Sequence, residues 1–275
     1  MASHRVTRAA HFSAAHNFWL DALSESDNRA VFGSTASPWP HGHDYRVEIT
    51  VEGDVSSHTG MVVNLADLDA LLRERVVNPL NGKWLNKQVP EFERRPPSLE
   101  ALAAYLYACL AENVGSLAIT RLRLAESPHL SLDYYPHEEE KMLMTRRYDF
   151  CAAHRLHNPA LSDEENAAIF GPCNNPYGHG HNYLLEITVA GDPDPVTGLM
   201  VDLDELDRVV HDEVVEPLDH RHLNMEVPEF RDLVPTTENL CRVIWDRLVE
   251  KVPGRLHKVG IQETPNNFFE YVGDE

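Results

Sequence analysis

The sequence has no apolar run long enough to cross a bilayer. Its hydrophobic stretches are short and broken by charge, well under the roughly 18–20 residues a spanning helix needs. Residues 1–20 place His4, His11, His16, Arg5 and Arg8 among scattered apolar residues, without the continuous apolar core of a secretion signal. Cysteine is scarce: Cys109, Cys151, Cys173 and Cys241 form neither a CxxC pair nor a compact framework. That excludes a disulfide-stapled scaffold and predicts a reducing, cytoplasmic setting. Positive charge is in deficit, with 24 Lys+Arg against 44 Asp+Glu and a formal net charge of −20. Nucleic acids and anionic membranes repel such a chain, so neither is expected as a partner. What remains is globular composition, 43% hydrophobic and 25% charged over 275 residues, enough for two domains. The one surplus is histidine, at 16 residues, which asks for a chemical reason.

An internal repeat decides the organisation. At an offset of 138, Phe12-Ser-Ala-Ala-His16 falls on Phe150-Cys-Ala-Ala-His154, and His41-Gly-His43 with Tyr45 on His179-Gly-His181 with Tyr183. Glu48-Ile-Thr-Val51 falls on Glu186-Ile-Thr-Val189, and Val89-Pro-Glu-Phe92 on Val227-Pro-Glu-Phe230. The offset becomes 137 before Glu126 meets Glu263. The chain therefore reads as two copies of one module, 1–138 and 139–275, with Pro136–Lys141 as a short polar connector.

Each module reads as strand, long loop, strand, helix, helix, strand, strand. In the second strand His41, His43, Tyr45, Val47, Ile49 and Val51 share one face, and His179, His181, Tyr183, Leu185, Ile187 and Val189 repeat the stripe. Asn64–Val77 and Asp202–Val215 carry helical spacing, with Leu65, Leu68, Leu72 and Leu203, Leu206, Val210 on one side. Thr236 has N-cap chemistry for a further helix, and 117–124 and 256–262 return to strand. The fold class is α+β with antiparallel pairing rather than alternating βαβ units.

Two histidines in H-x-H on a strand point the same way, about 6–7 Å apart, within reach of one ion. His154, or His16, ends the preceding strand, where an antiparallel partner brings it alongside. Three imidazoles without a fourth protein ligand match a catalytic zinc site, which keeps one position for water or substrate. The candidate metal ligands are His154, His179 and His181, and in the first copy His16, His41 and His43.

The strings Phe150-Cys-Ala-Ala-His154, Leu161-Ser-Asp-Glu-Glu-Asn166, Gly171-Pro-Cys-Asn-Asn-Pro-Tyr-Gly-His-Gly-His-Asn-Tyr183, Pro217-Leu-Asp-His220, Pro235-Thr-Thr-Glu-Asn239 and Gln262-Glu-Thr264 resemble the 6-pyruvoyltetrahydropterin synthase family over about residues 145–274. The resemblance implies a tunnelling fold (T-fold), with three subunits closing an antiparallel barrel and two trimers stacked. It implies zinc on three histidines, conversion of 7,8-dihydroneopterin triphosphate to 6-pyruvoyltetrahydropterin, and loss of triphosphate. A thiol beside a cation has a lowered pKa suited to a general base, which points to Cys173, six residues before His179. Asp219-His220 supplies a carboxylate-oriented imidazole for proton relay. Glu263 can accept two parallel N–H bonds from a pterin edge, and the family uses the matching glutamate as its anchor. For the triphosphate, Arg155, Arg221, Lys251, Arg255 and Lys258 are available; Cys109, Cys151 and Cys241 read as packing.

In the first copy Thr35 replaces Cys173 and Asn81-Gly82 replaces Asp219-His220, while Glu126 keeps the anchor position. That module is expected to bind metal without turnover. Because the family site lies between subunits, active sites need second modules adjoining second modules. The expectation is a homotrimer of tandem chains, a pseudo-hexamer with one ring of second modules and one of first. Alternatives from the same motifs are 6-carboxytetrahydropterin synthase of queuosine biosynthesis, whose cysteine sits closer to H-x-H in a C-x-x-x-H-G-H string, and a zinc- or pterin-binding scaffold. A zinc hydrolase would need a glutamate beside the ligands, which is missing.

Overall fold

Alternating apolar and polar residues build the long strands. In the computed structural model, which describes residues 3–93, 95–112, 114, 117–139 and 141–273, β1 (His4–His16) pairs antiparallel with β2 (His41–Gly53) in a register that sets His16 opposite His41. Glu140 of the connector lies outside those residues. A two-residue β3 (Lys83–Trp84) runs parallel to the end of β1, and β4 (Ala118–Ser127) pairs with both β2 and β5 (Leu130–Tyr134). The second copy repeats the plan with β6 (Met142–His154), β7 (His179–Ala190), a two-residue β8 (Arg221–His222), β9 (Arg255–Thr264) and β10 (Asn267–Tyr271). Strand order is β5-β4-β2-β1-β3 in the first copy and β10-β9-β7-β6 in the second, with β8 parallel to β6 at Ala152–Ala153. This is the α+β antiparallel architecture expected of a T-fold module, present twice. Two compact units result: Met1–Met144 with Ala190–Asp202, and Thr145–Val189 with Leu203–Glu275. Among the described residues no helix is long and apolar enough to cross a membrane.

The helix after the second strand differs from its sequence reading in an instructive way. It is α-helical over Leu203–Val210, then widens into a π turn at His211–Val215, and a short turn Glu216–Leu218 follows. The first copy does the same at Leu65–Leu72, Arg73–Val77 and Asn78–Leu80. Leu206, Val210, Val214 and Leu218 recur every four residues and are fully buried. On an α-helix of 3.6 residues per turn that spacing drifts by about 40° per step, and a wider π turn offsets the drift. Leu65, assigned to the buried side by spacing, is instead 46% exposed, because the stripe begins at Leu68 and continues through Leu72, Val76 and Leu80. Each buried leucine contributes roughly 1.5–3 kcal/mol, so the stripe anchors the helix on its sheet.

The long loop before each second strand holds a short helix, Glu25–Phe32 or Asp163–Phe170. Ser162 and Glu165 form a capping box that starts the second one. Both loops are organised around a fully buried asparagine, Asn28 or Asn166. Asn166 Nδ2 donates to the carbonyls of Asn158, Leu161 and Ser162, and its Oδ1 accepts the Asn158 amide at 2.7 Å. Four backbone groups bond to that one side chain. The Asn158 and Ser162 carbonyls also accept the Leu161 and Asn166 amides, so Asn166→Ala leaves the Asn158 amide and the Leu161 carbonyl without a partner, at about 1–3 kcal/mol for a buried group. The variant is expected to melt at lower temperature and to be cut by protease within 155–174 first. An unchanged melting temperature and digestion pattern would contradict this role.

Candidate active site

Residues far apart in sequence converge at the ends of β6, β7 and β9. His154, 2% exposed, ends β6, and its Nδ1–H donates to the Pro235 carbonyl at 2.8 Å. That bond commits the Nε2 lone pair to the interior, where it lies 3.1 Å from His179 Nε2. Two imidazole lone pairs at that distance repel unless a proton or cation lies between them, and tetrahedral zinc with bonds of ~2.0–2.1 Å sets N–N edges near ~3.3 Å. His181 Nε2 is buried without a hydrogen-bond partner, and one ring nitrogen from each of His154, His179 and His181 lies within 4.8 Å of the others. Burial, then the neighbouring imidazoles, pushes the His154 pKa below the ordinary range. Burial does the same to His179. Neutral imidazole is the metal-binding form, so this set fits a cation. The turn into β7 needs Gly178, whose φ is 73° and where a Cβ would sit 2.9 Å from the His154 carbonyl oxygen.

Glu263, on β9, brings its Oε1 to 3.9 Å from both His154 Nε2 and His181 Nε2. Thr237 Oγ1 donates to Oε1 at 2.6 Å and Asn267 Nδ2 to Oε2 at 3.3 Å. The carboxylate is thus held beside the histidines by two side chains to which sequence reasoning gave no role. Thr237 follows the helix N-cap Thr236, so its backbone position is fixed by the start of that helix.

Asp219 and His220 follow the π-turn helix. Asp219 Oδ1 accepts the Cys151 amide at 2.8 Å, and Oδ2 accepts from His220 Nδ1 at 2.8 Å. The Cys151 amide, then His220, draws the half-buried Asp219 down to about 2. The thiol they meet within the chain is Cys151, not Cys173: Cys151 Sγ donates to Asp219 Oδ1 at 3.3 Å and lies 3.6–3.7 Å from the His220 ring nitrogens. The packing role read for Cys151 is therefore incomplete, whereas Cys241 is 1% exposed and packs in the core. Cys173 sits in the turn Gly171–Asn174, where its carbonyl accepts the Leu156 amide and Arg155 Nε donates to the Asn174 carbonyl. Those bonds tie its turn to the residues just after His154. Cys173 belongs neither to the histidine group nor to the Asp219–His220 group.

The first copy retains the metal geometry and lacks the thiol, carboxylate and imidazole of Cys173, Asp219 and His220. His16, 1% exposed, donates Nδ1–H to the Pro97 carbonyl at 2.9 Å, and its Nε2 is buried and unpaired. Burial, then His41, lowers its pKa to about 3. Ligand atoms of His16, His41 and His43 again lie within 4.8 Å of one another. Thr35 Oγ1 donates to the Phe32 carbonyl, a local helix-end bond. Asn81 Oδ1 accepts the Ser13 amide at 2.9 Å, the same bond Asp219 makes to Cys151. Glu126 lies on β4, and burial, then its charge, raises the pKa of the Tyr45 hydroxyl. Of the candidate phosphate-binding cations, Arg221 pairs with Glu226, Lys251 with Glu213 and Lys258 with Glu270.

Because an amide oxygen makes the Asp219 bond in the first copy, Asp219→Asn should leave the melting temperature nearly unchanged. Asp219→Ala should cost about 0.5–1.5 kcal/mol through the lost bond to the Cys151 amide. Equal destabilisation by both substitutions would contradict that division of roles.

Comparison with known proteins places the chain. A family model for 6-pyruvoyl tetrahydropterin synthase matches residues 5–137 and again 143–274. The 6-pyruvoyl tetrahydrobiopterin synthase of Homo sapiens is 48% identical over 132 residues, covering 48% of this chain and 91% of that protein. That of Poecilia reticulata is 46% identical over 140 residues, covering 50% of this chain and 95% of the other. The solved structure of Caenorhabditis elegans 6-pyruvoyl tetrahydropterin synthase is 41% identical, with a TM-score of 0.47, over 48% of this chain and 95% of that one. The chain belongs to the 6-pyruvoyl tetrahydropterin synthase family of enzymes, with that family's signature carried twice along its length.

Proposed function

We propose that the second module, 139–275, converts 7,8-dihydroneopterin triphosphate to 6-pyruvoyltetrahydropterin with release of triphosphate, and that the first, 1–138, holds metal without turnover. The observation that carries this reading is the Glu263 carboxylate fixed 3.9 Å from two members of a three-histidine cluster whose His154 is buried. It sets a group suited to a pterin edge beside a cation-binding centre.

His154, His179 and His181 hold zinc in this reading. Zinc when bound polarises the side-chain oxygens of the substrate and makes the adjacent carbon-bound hydrogens more acidic. Glu263 accepts the 2-amino and ring N–H donors, while Thr237 and Asn267 fix its orientation. Cys173 removes a carbon-bound proton of the substrate side chain. Asp219 Oδ2 accepts Nδ1–H of His220, leaving Nε2 to take or return a proton during relay. The ring gains the hydrogens that the side chain loses, so elimination of triphosphate needs no outside oxidant.

Separation of Cys173 from Asp219–His220 within one chain supports a site shared between neighbouring subunits of a homotrimer. In the first module Thr35 is far too weak an acid for the base role, and Asn81-Gly82 has neither carboxylate nor imidazole. The 6-carboxy product of the alternative reading is separated by mass.

Cys173→Ala is expected to lower turnover by roughly 10²–10⁴-fold, the typical share of a general base, with zinc content unchanged. Retention of most activity would show that Cys173 is not that base. Co-assembled Cys173→Ala and His220→Ala chains should recover activity that neither has alone, since mixed interfaces reunite an intact pair. No recovery in mixed oligomers confirmed by mass would contradict the shared site.

A further inference from the structure

We propose that residues 56–63 of one chain dock on the helix start at residues 236–238 of a second copy of the chain. A contact of the same form is present within the first unit. The first-copy helix Leu99–Ala111 is capped by Ser98, whose hydroxyl accepts the Ala101 amide at 3.1 Å. That hydroxyl also donates to the Gly198 carbonyl at 2.7 Å, and Glu100 Oε1 accepts the Met200 amide at 2.7 Å. The segment Ala190–Asp202 belongs to the second copy by sequence, yet it packs in the unit built by the first. Ser98 and Glu100 are 0% and 1% exposed. A carboxylate so deeply buried is costly without a donor, and the loop amide provides one.

The repeat duplicates both partners. At the offset of 138, Ser98 and Glu100 fall on Thr236 and Glu238, and Thr59-Gly-Met-Val-Val63 falls on Thr197-Gly-Leu-Met-Val201. Both duplicates already have the docking shape. Thr236 caps its helix as Ser98 does, accepting the Asn239 amide. The two loops close the same turn: the Gly60 amide donates to the Ser56 carbonyl and the Gly198 amide to the Asp194 carbonyl, each at 2.8 Å. Their glycines have φ of 71° and 73°. What differs is cover. A Cβ added at Gly198 would meet Ser98 Oγ at 3.2 Å, whereas at Gly60 it would meet nothing within 4 Å. Met61 is 45% exposed, Glu238 is exposed and Thr236 is half-buried. Each chain thus carries one loop docked on one receptor, and a second loop and receptor of the same form left open.

In the contact between chains Thr236 Oγ1 donates to the Gly60 carbonyl, and Glu238 accepts the Val62 amide. Loop and receptor are different surfaces, so the contact is head-to-tail and closes as a ring of chains. A homotrimer built from two kinds of module needs contacts between first and second modules, and this is one. None of these groups belongs to the histidine clusters or to Cys173, Asp219 and His220. Assembly is therefore read without substrate, and its outcome is independent of the proposed reaction.

The full chain carrying the photo-cross-linker p-benzoylphenylalanine in place of Met61 tests the contact. Irradiation should give covalent dimers, with the cross-link mapped by mass to a peptide containing residues 236–238. Isotope-labelled and unlabelled chains mixed before irradiation should give the labelled–unlabelled pair, which marks the link as one between chains. Glu238→Arg should weaken assembly at least about 10-fold, the share of one hydrogen bond to a charged acceptor. Native mass measurement should then show smaller species, while the circular dichroism stays that of the wild type. Glu238→Gln keeps an oxygen to accept the amide and should assemble nearly as the wild type does. A monomeric wild type, a cross-link to another segment or confined to one chain, or unchanged assembly of Glu238→Arg overturns the proposal.

Discussion

The hydrogen bond from His154 Nδ1 to the Pro235 carbonyl is the constraint on which the site depends. It spans 81 residues and joins the end of β6 to the segment that starts the helix Thr237–Leu248. By fixing which nitrogen carries the hydrogen, it points the other lone pair at His179 and His181. Burial then keeps the ring neutral. Without that bond the imidazole could rotate, and the chain would have three histidines near one another rather than three donors aimed at one point. The same bond to Pro97 orients His16, so the constraint belongs to the module and not to one copy.

Duplication makes the chain its own control. Both copies keep the β-pairing, the π turn, the buried asparagine of the long loop and the proline-braced histidine cluster. They part where proton chemistry is proposed, at Thr35 against Cys173 and at Asn81-Gly82 against Asp219-His220. The structural half of Asp219 survives in Asn81 as an oxygen accepting a backbone amide, while the half that orients an imidazole is gone. A binding scaffold alone gives no reason for the second copy to retain the fuller set.

The histidines were legible because a strand has a period of two residues, so H-x-H can only place both rings on one face. Antiparallel pairing then made His16 and His154 available at the neighbouring strand end. Leu65 opens its helix one turn ahead of the buried stripe that begins at Leu68, and spacing alone does not show where such a stripe begins. The helix Asp163–Phe170 had its signal in Ser162-Asp-Glu-Glu165, a capping box read only as part of a family string. Cys151 was hidden for a different reason. Its contact with Asp219 crosses 68 residues through the parallel approach of β8 to β6, and no local pattern announces a two-residue strand. Thr237 likewise meets Glu263 across 26 residues, after the helix and strand have packed.

The most direct measurement compares the full chain stripped of metal, the same preparation reloaded with zinc, and a reloaded chain carrying His179→Ala with His181→Ala. Each is given 7,8-dihydroneopterin triphosphate under reductant, and the pterin product is followed by mass. Product at the mass of 6-pyruvoyltetrahydropterin should form only in the reloaded wild type. Equal rates in the stripped and reloaded preparations, or an active double variant, would contradict the assignment of a metal-dependent centre to the second histidine cluster.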